Sequence, residues 1–407
     1  MKHLASNGGI DDVGPSVYGD NRIEGFYKSF LPHHEVAGNI AYDRRRVSYY
    51  GYDPIAFDSI ALDEPTAKDL KQFYNDIGFG ARVKSLYRDS TKIAHAVAME
   101  VHTYGNKAQS RELNLRLSAD LSKEEGTETY SGGILIDNNA YRGKPGGGFD
   151  EFRQNGTLIG ITPGVSTAGD KYVVKVGVGM YLDAMKKTTF HFFPNVYASY
   201  SLFGEMLVPY VGVDGRRERN SFRSLTRENP WLTNAPALVN SSLMYDIHGG
   251  LRGRFSDDVG FDVRVSKIRR KDMPLFVNEA FFSFGNQFTA IYDRVDILDI
   301  SGSLTCAPSE HVNVTGNIHI LGYETDTQAE AWNLPPYTIG LEARYDFRDK
   351  LVLNVEAQFV GRRYVSAAPI AVVDTLPAAE ADISEVERSL GLHVGAEYPY
   401  NRRLSVY

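Results

Sequence analysis

Residues 242–267 read SLMYDIHGGLRGRFSDDVGFDVRVSK, and the alternation inside this stretch decides the fold. Successive side chains of a strand point to opposite faces. On that rule Leu243, Tyr245, Ile247, Leu251 and Phe255 share one face, while Asp246, His248, Arg252 and Arg254 share the other. Ser256, Asp257 and Asp258 form a turn, after which Val259, Phe261, Val263 and Val265 oppose Asp262, Arg264 and Ser266. The stretch therefore predicts an antiparallel hairpin, oily on one side and charged on the other. Each limb has about a dozen residues, against roughly five or six in a soluble strand and about 9–11 in a tilted strand that crosses a bilayer.

The pattern recurs in both directions. Leu113, Leu115, Leu117, Ala119 and Leu121 oppose Glu112, Asn114, Arg116, Ser118 and Asp120, and Ile77, Phe79, Ala81, Val83 and Tyr87 oppose Gly78, Gly80, Arg82 and Lys84. About 18 such limbs can be traced, within a range of roughly 16–22. Short connections fall near residues 43, 88, 204, 257, 308, 349 and 400, the first at Asp43 and Arg44. Longer excursions span 53–76, 137–155, 216–242, 324–336 and 363–386, and ALDEPTAKDLKQFY within the first predicts a short helix. Alternation of short turns and long loops is the arrangement of an up-and-down membrane barrel, with turns on the periplasmic side and loops outside. The fold class expected is all-β: a transmembrane antiparallel up-and-down β-barrel over 33–407, preceded by a poorly defined segment, 1–32, with one possible strand near Ile23–Phe30.

Composition agrees with this fold. The chain is rich in Tyr (25), Phe (21) and Gly (38), and no apolar run approaches the ~18 residues of a spanning helix. A net charge of −7 argues against a nucleic-acid partner. The single cysteine, Cys306, leaves no intrachain disulfide framework. No apolar stretch follows Lys2, so no signal peptide is expected in this sequence.

Strands that face lipid must close on themselves, so the opposite face lines a lumen. The lumen-lining candidates are Asp246, His248, Arg252, Arg254, Asp262, Arg264, Glu342, Arg344 and Glu356. They carry two readings, a solute path filtered by charge or a network of ion pairs that braces the interior, and bracing is the simpler for any one residue. Their mixed signs argue against strong anion or cation selectivity. Tyr52, Tyr87, Tyr323, Tyr337, Tyr345, Phe347 and Tyr398 fit interfacial girdles. The loop tryptophans, Trp231 and Trp332, are candidates for stacking on sugars. The glycine loop around Gly143–Gly148 lacks phosphate-loop spacing, and His33, His34 and Glu35 alternate faces along a strand, which disfavours a metal site. With no catalytic spacing present, neither an enzyme nor a cofactor is expected.

The run AWNLPPYTIGLEARYDFRDKLVLNVEAQFVGRRYV, followed after a loop by GLHVGAEYPYNRRLSVY, resembles the late barrel strands of outer-membrane proteins of Bacteroidetes type, many of them TonB-dependent receptors. The resemblance implies a bacterial outer membrane and energised uptake of large nutrients such as metal chelates or glycans. Its implied partners are membrane lipid and an energy-transducing inner-membrane complex or a surface lipoprotein. Departures from the pattern are a plug and transducer box that are not recognisable, and a last strand that stops short of an outward terminal aromatic. The sequence thus resembles a barrel portion cut at both ends. Solute uptake is the expected function; the alternatives are a barrel scaffold whose loops 53–76 and 216–242 bind a surface partner, and a soluble all-β carbohydrate-binding protein.

Overall fold

The structure is a computed structural model that describes residues 2–6, 16–49, 66–87, 89, 91–145, 150–204, 206–279, 286–347, 351–366, 383–401 and 404–406. Tyr52, most of the insertion 53–76, the tip of the glycine loop and the 348–350 turn lie outside them.

The chain is a succession of strands: β1 (Lys2–Ser6), β2 (Ser16–Phe30), β3 (His34–Ser48), β4 (Lys71–Ser85), β5 (Ala94–Asn106), β6 (Arg111–Glu125), β7 (Glu128–Gly143), β8 (Phe152–Ala168), β9 (Tyr172–Ala184) and β10 (Thr188–Tyr200). It continues through β11 (Leu207–Glu218), β12 (Ser241–Ser256), β13 (Val259–Glu279), β14 (Gln287–Ser309), β15 (Val312–Thr325), β16 (Tyr337–Phe347) and β17 (Leu351–Val360). The last elements are β18 (Arg363–Ser366), β19 (Ile383–Val386), β20 (Ser389–Asn401) and β21 (Leu404–Val406), and among the described residues two helices, α1 (Ala67–Leu70) and α2 (Phe222–Glu228), lie in connections. Each strand from β2 to β17 pairs antiparallel with the next and β17 pairs with β20, giving one up-and-down sheet of 17 strands. β1 extends the ladder beside β2, β21 lies beside β20, and β18 with β19 forms a separate ribbon. Among the described residues no ladder joins β1 or β2 to β20 or β21.

The connections sort by end. At one end β6–β7, β12–β13 and β14–β15 are joined by two residues each; at the other, residues 49–70, 219–240 and 361–388 intervene between neighbouring strands. The first is the turn end and the second the loop end.

Two local expectations are corrected. β3 runs unbroken through Asp43 and Arg44 and pairs with β4 as far as Ser48, so no turn forms there. Asp43 faces inward, 3.6 Å from Arg227, and Arg44 faces outward over the Phe73 ring, so the alternation of a strand continues through both, and a ladder needs no apolar side chains to continue. Among the described residues the expected helix covers only Ala67–Leu70, because Lys71–Tyr74 already pair with β3. The amide and hydroxyl of Thr66 both bond to Asp69, which caps the helix and holds the Asp69 carboxyl below its usual range.

Among the described residues the apolar face meets no second layer of protein. Leu113, Leu115 and Val263, which a soluble sandwich would bury, are 50%, 37% and 48% exposed. Aromatic pairs edge this belt at the turn end, with Phe255 stacked on Phe261 at 4.4 Å and Tyr345 beside Phe347. At the loop end the same face turns polar, with the Arg269–Asp296 ion pair at 2.7 Å and Arg44 over the Phe73 ring. In the opening hairpin the outward face runs through Ile247, Leu251 and Phe255, but a bulge between Leu243 and Tyr245 exposes Met244 and buries Leu243. Leu117 lies midway along the outward face of β6, so Leu117→Arg is expected to cost about 2–4 kcal/mol in the bilayer. Urea titration of the protein refolded in vesicles checks this, and substitution of the lumen-side neighbour Ser118 is expected to cost little.

Candidate functional site

Residues 219–240, RNSFRSLTRENPWLTNAPALVN, do not project from the rim. They fold onto the inner wall. The local sequence explains the shape: the Ser221 hydroxyl accepts from Ser224 N–H at 3.0 Å while the Ser224 hydroxyl accepts from Ser221 N–H at 2.9 Å, starting α2. Phe222, Leu225 and Thr226 then share the buried face, and Pro230 follows the Asn229 cap, so the helix stops.

Wall carboxylates receive this segment. Buried Glu112 accepts from the backbone N–H of Phe222 at 2.6 Å and of Arg223 at 3.2 Å, while Asn139 donates to it at 3.2 Å. Asp76 takes Arg223 at 2.5 Å, Arg227 at 2.9 Å and His102 at 3.0 Å. Arg219 reaches Asp137 at 3.1 Å, and Asp183 joins Arg217 at 2.8 Å to Asn240 at 3.0 Å. These contacts lie on β4 to β9.

The far side of the segment grips β14, ten strands further along the sheet from β4. Trp231 O and Thr233 N bond to Phe288 N and O at 2.9 and 2.8 Å, and the Tyr292 hydroxyl donates to Ala237 O at 2.9 Å. Asn286 donates to Tyr49 O at 2.8 Å, which brings the approach to β14 against the end of β3. Between these anchors Phe222, Leu225, Leu232 and Leu238, each at most 1% exposed, pack with Val47, Tyr74, Tyr104 and Tyr141 on one side and Phe276 and Ala290 on the other. A segment tied to both halves of the wall and cored by apolar side chains is a fixed constriction of the loop-end lumen.

A second segment, 326–336, covers the wall of β13 to β15. Trp332 is 1% exposed among Leu275, Val277, Val295 and Ile297, and Asp293 accepts the backbone N–H groups of Asp326, Thr327 and Gln328. This corrects three expectations. Trp332 is a core residue; Trp231 packs against the constriction and donates to Ser48 O at 3.0 Å, so neither tryptophan is a free sugar platform. Tyr323 packs inside against this segment rather than in a girdle, donating to Pro335 O at 3.2 Å. The Tyr87 ring lies among His33, His34 and His95 at the turn end.

The lumen candidates divide by environment. Asp246 pairs with Arg264 at 2.6 Å. His248 is buried with Nδ1 3.2 Å from Asp246 O, and its ring lies over Gly212, where a Cβ would come within 2.5 Å of Nε2. Asp262 accepts from the Tyr210 hydroxyl at 2.7 Å, and Arg252 lies over the Tyr210 ring at 5.8 Å. Glu342, Arg344 and Glu356 remain open to solvent, with Glu342 directly opposite Glu356 across β16 and β17. The candidates were drawn from the later hairpins, so Asp76, Glu112, Asp137 and Asp183, the acceptors that hold the constriction, were missed. The available signal was charge balance: a loop region with Arg216, Arg217, Arg219, Arg223 and Arg227 needs carboxylates, and inward Asp or Glu near the loop ends of strands supplies them.

No protein-family model matches this sequence, and no curated protein matches it. Solved structures do. The siderophore receptor PirA from Acinetobacter baumannii aligns with a TM-score of 0.63 and 12% identity, over 95% of this chain and 65% of the receptor. The fold is TonB-dependent-receptor-like. The ferripyoverdine receptor of the outer membrane of Pseudomonas aeruginosa gives a TM-score of 0.62 at 12% identity, over 97% of this chain and 62% of its own, and the copper transporter OprC gives 0.61 at 9%, over 95% and 64%. The chain thus spans less than two thirds of the length of the receptors it matches. None of these likenesses comes with the sequence identity that would carry a ligand across.

Proposed function

We propose that this chain is an outer-membrane uptake protein, with solute entering past the 219–240 constriction and leaving at the turn end. The observation that carries the reading is the pairing of a lipid-facing apolar belt with a polar interior narrowed by one anchored segment. Its fold likeness to siderophore receptors and a copper transporter supports nutrient uptake rather than catalysis, and an energy-transducing inner-membrane complex is the partner that such a role calls for. The soluble carbohydrate-binding alternative conflicts with the bare apolar belt, and the scaffold alternative gains nothing from loop 216–242, whose Phe222, Leu225 and Leu232 are turned inward.

Reconstitution tests this proposal. The refolded chain is expected to insert into liposomes, become resistant to carbonate extraction and pass small solutes slowly. Failure to insert, or a vesicle as tight to labelled solutes as a protein-free control, would overturn uptake.

A further inference from the structure

Below the constriction, in the turn-end half of the lumen, the 169–171 turn and the inner wall of β9 to β14 line an open cavity of about 540 Å3. Its lining includes Lys171, Arg252 and Arg254 together with Ser199, Ser303 and Thr305. Strand register assembles the group: Arg252 stands opposite Asp262, which faces Ser303, and Arg254 stands opposite Gly260, which faces Thr305. Gly260 has no side chain, so nothing from β13 stands between Arg254 and the Thr305 hydroxyl on that row.

The carboxylates here are Asp170 and Asp262. One oxygen of Asp262 is held by Tyr210, and Arg252 lies over the Tyr210 ring rather than on Asp262. Among the described residues neither Arg252 nor Arg254 forms an ion pair, unlike Arg264 with Asp246 on the adjacent row. The nearest run of acids on the same row sits elsewhere: from Arg254 the register passes through Gly260, Thr305 and Thr315 before it reaches Glu342 and Glu356. Four strand spacings put Arg254 and Glu342 roughly 19 Å apart along the wall. On this one row, Arg254 and the two glutamates therefore stand apart.

Two guanidinium groups and an ammonium beside hydroxyl donors match an anion with several acceptor oxygens. We propose that this cavity is an oxyanion subsite in which Arg252, Arg254 and Lys171 hold a carboxylate or phosphate group of a small solute, with Ser303 and Thr305 hydroxyls donating to its free oxygens. The subsite deepens the uptake reading and takes its purpose from it, but binding is measurable without transport.

A 31P NMR titration of inorganic phosphate against the refolded full chain reads the site. The phosphate line is expected to broaden saturably. Arg252→Gln combined with Arg254→Gln weakens binding by roughly tenfold or more, whereas Glu342→Gln with Glu356→Gln changes it by less than about twofold. If the double arginine variant does not refold, Arg254→Gln alone, at an exposed position, is expected to weaken binding by about threefold. An unbroadened line with the unmodified chain, or equal broadening by the arginine variants, overturns the proposal. Phosphate binding in a chain that passes no solute would sink the uptake reading and leave the subsite standing.

Discussion

Replacing residues 221–239 with a short glycine-serine linker is expected to raise the single-channel conductance of the refolded chain by roughly an order of magnitude, because a wall of this strand number encloses an aqueous channel unless something fills it. The filling is local and specific. Phe222, Leu225, Leu232 and Leu238 pack between Val47, Tyr74, Tyr104 and Tyr141 on one side and Phe276 and Ala290 on the other. The linker must bridge Asn220 and Asn240, which stand at adjacent strand ends and are already close enough for Asn220 to bond Val239 O and Ser241. Planar-bilayer recording checks the outcome. Equal conductance with and without the segment would mean that it does not obstruct the path.

Phe222→Ala is expected to weaken docking of the same segment by about 3–5 kcal/mol, the usual cost of emptying a fully buried aromatic site. The ring is 0% exposed and meets Tyr74, Tyr104 and Tyr141 at centroid distances of 6.3, 5.6 and 5.3 Å. It also fixes the first turn of α2, whose N–H groups bond Glu112, so its loss releases an electrostatic anchor along with an apolar one. Trypsin reports the difference, since Arg223 and Arg227 are cleavable only when the helix leaves the wall. Cleavage there should speed up by roughly two to nearly four orders of magnitude while the strands remain intact, because local opening, not global unfolding, exposes these bonds. Phe222→Leu should recover most of the protection. A tryptic rate unchanged by Phe222→Ala would show that the segment is held by its ion pairs alone.

The wall was legible in the sequence because a membrane strand has to alternate: each residue is assigned to lipid or lumen by position, and Leu113 to Leu121 carry that assignment without interruption. Turn placement was legible where Asp, Asn and Gly cluster, as at 257–258. It failed at Asp43–Arg44, where charge signals water but not the end of a ladder, and the face assignment failed at Leu243, where one extra residue at Met244 reverses the faces without any compositional mark. The constriction was the least legible part. A basic stretch between two strands looks the same whether it projects into solvent or folds inward, and only its acceptors, scattered from Asp76 to Asp183, distinguish the two. Buried Leu232 and Leu238 in an otherwise polar loop were the local hint, since an exposed loop gains nothing from them. Among the lumen candidates, Asp246, His248, Asp262 and Arg264 are engaged in bracing contacts, whereas Arg252 and Arg254 line an open cavity. Pairing across strands separates these groups, and pairing is a property of register.

The apolar face of the wall meets lipid while the polar face meets water. Nitroxide side chains placed one at a time from residue 113 to residue 118, in a chain carrying Cys306→Ser and refolded in vesicles, test it by collision with two relaxing agents. Molecular oxygen, which concentrates in hydrocarbon, should be felt most at 113, 115 and 117, and a water-soluble nickel chelate at 116 and 118. Oxygen and nickel profiles that rise and fall together, or nickel access at 115 and 117, would mean that this face does not meet lipid.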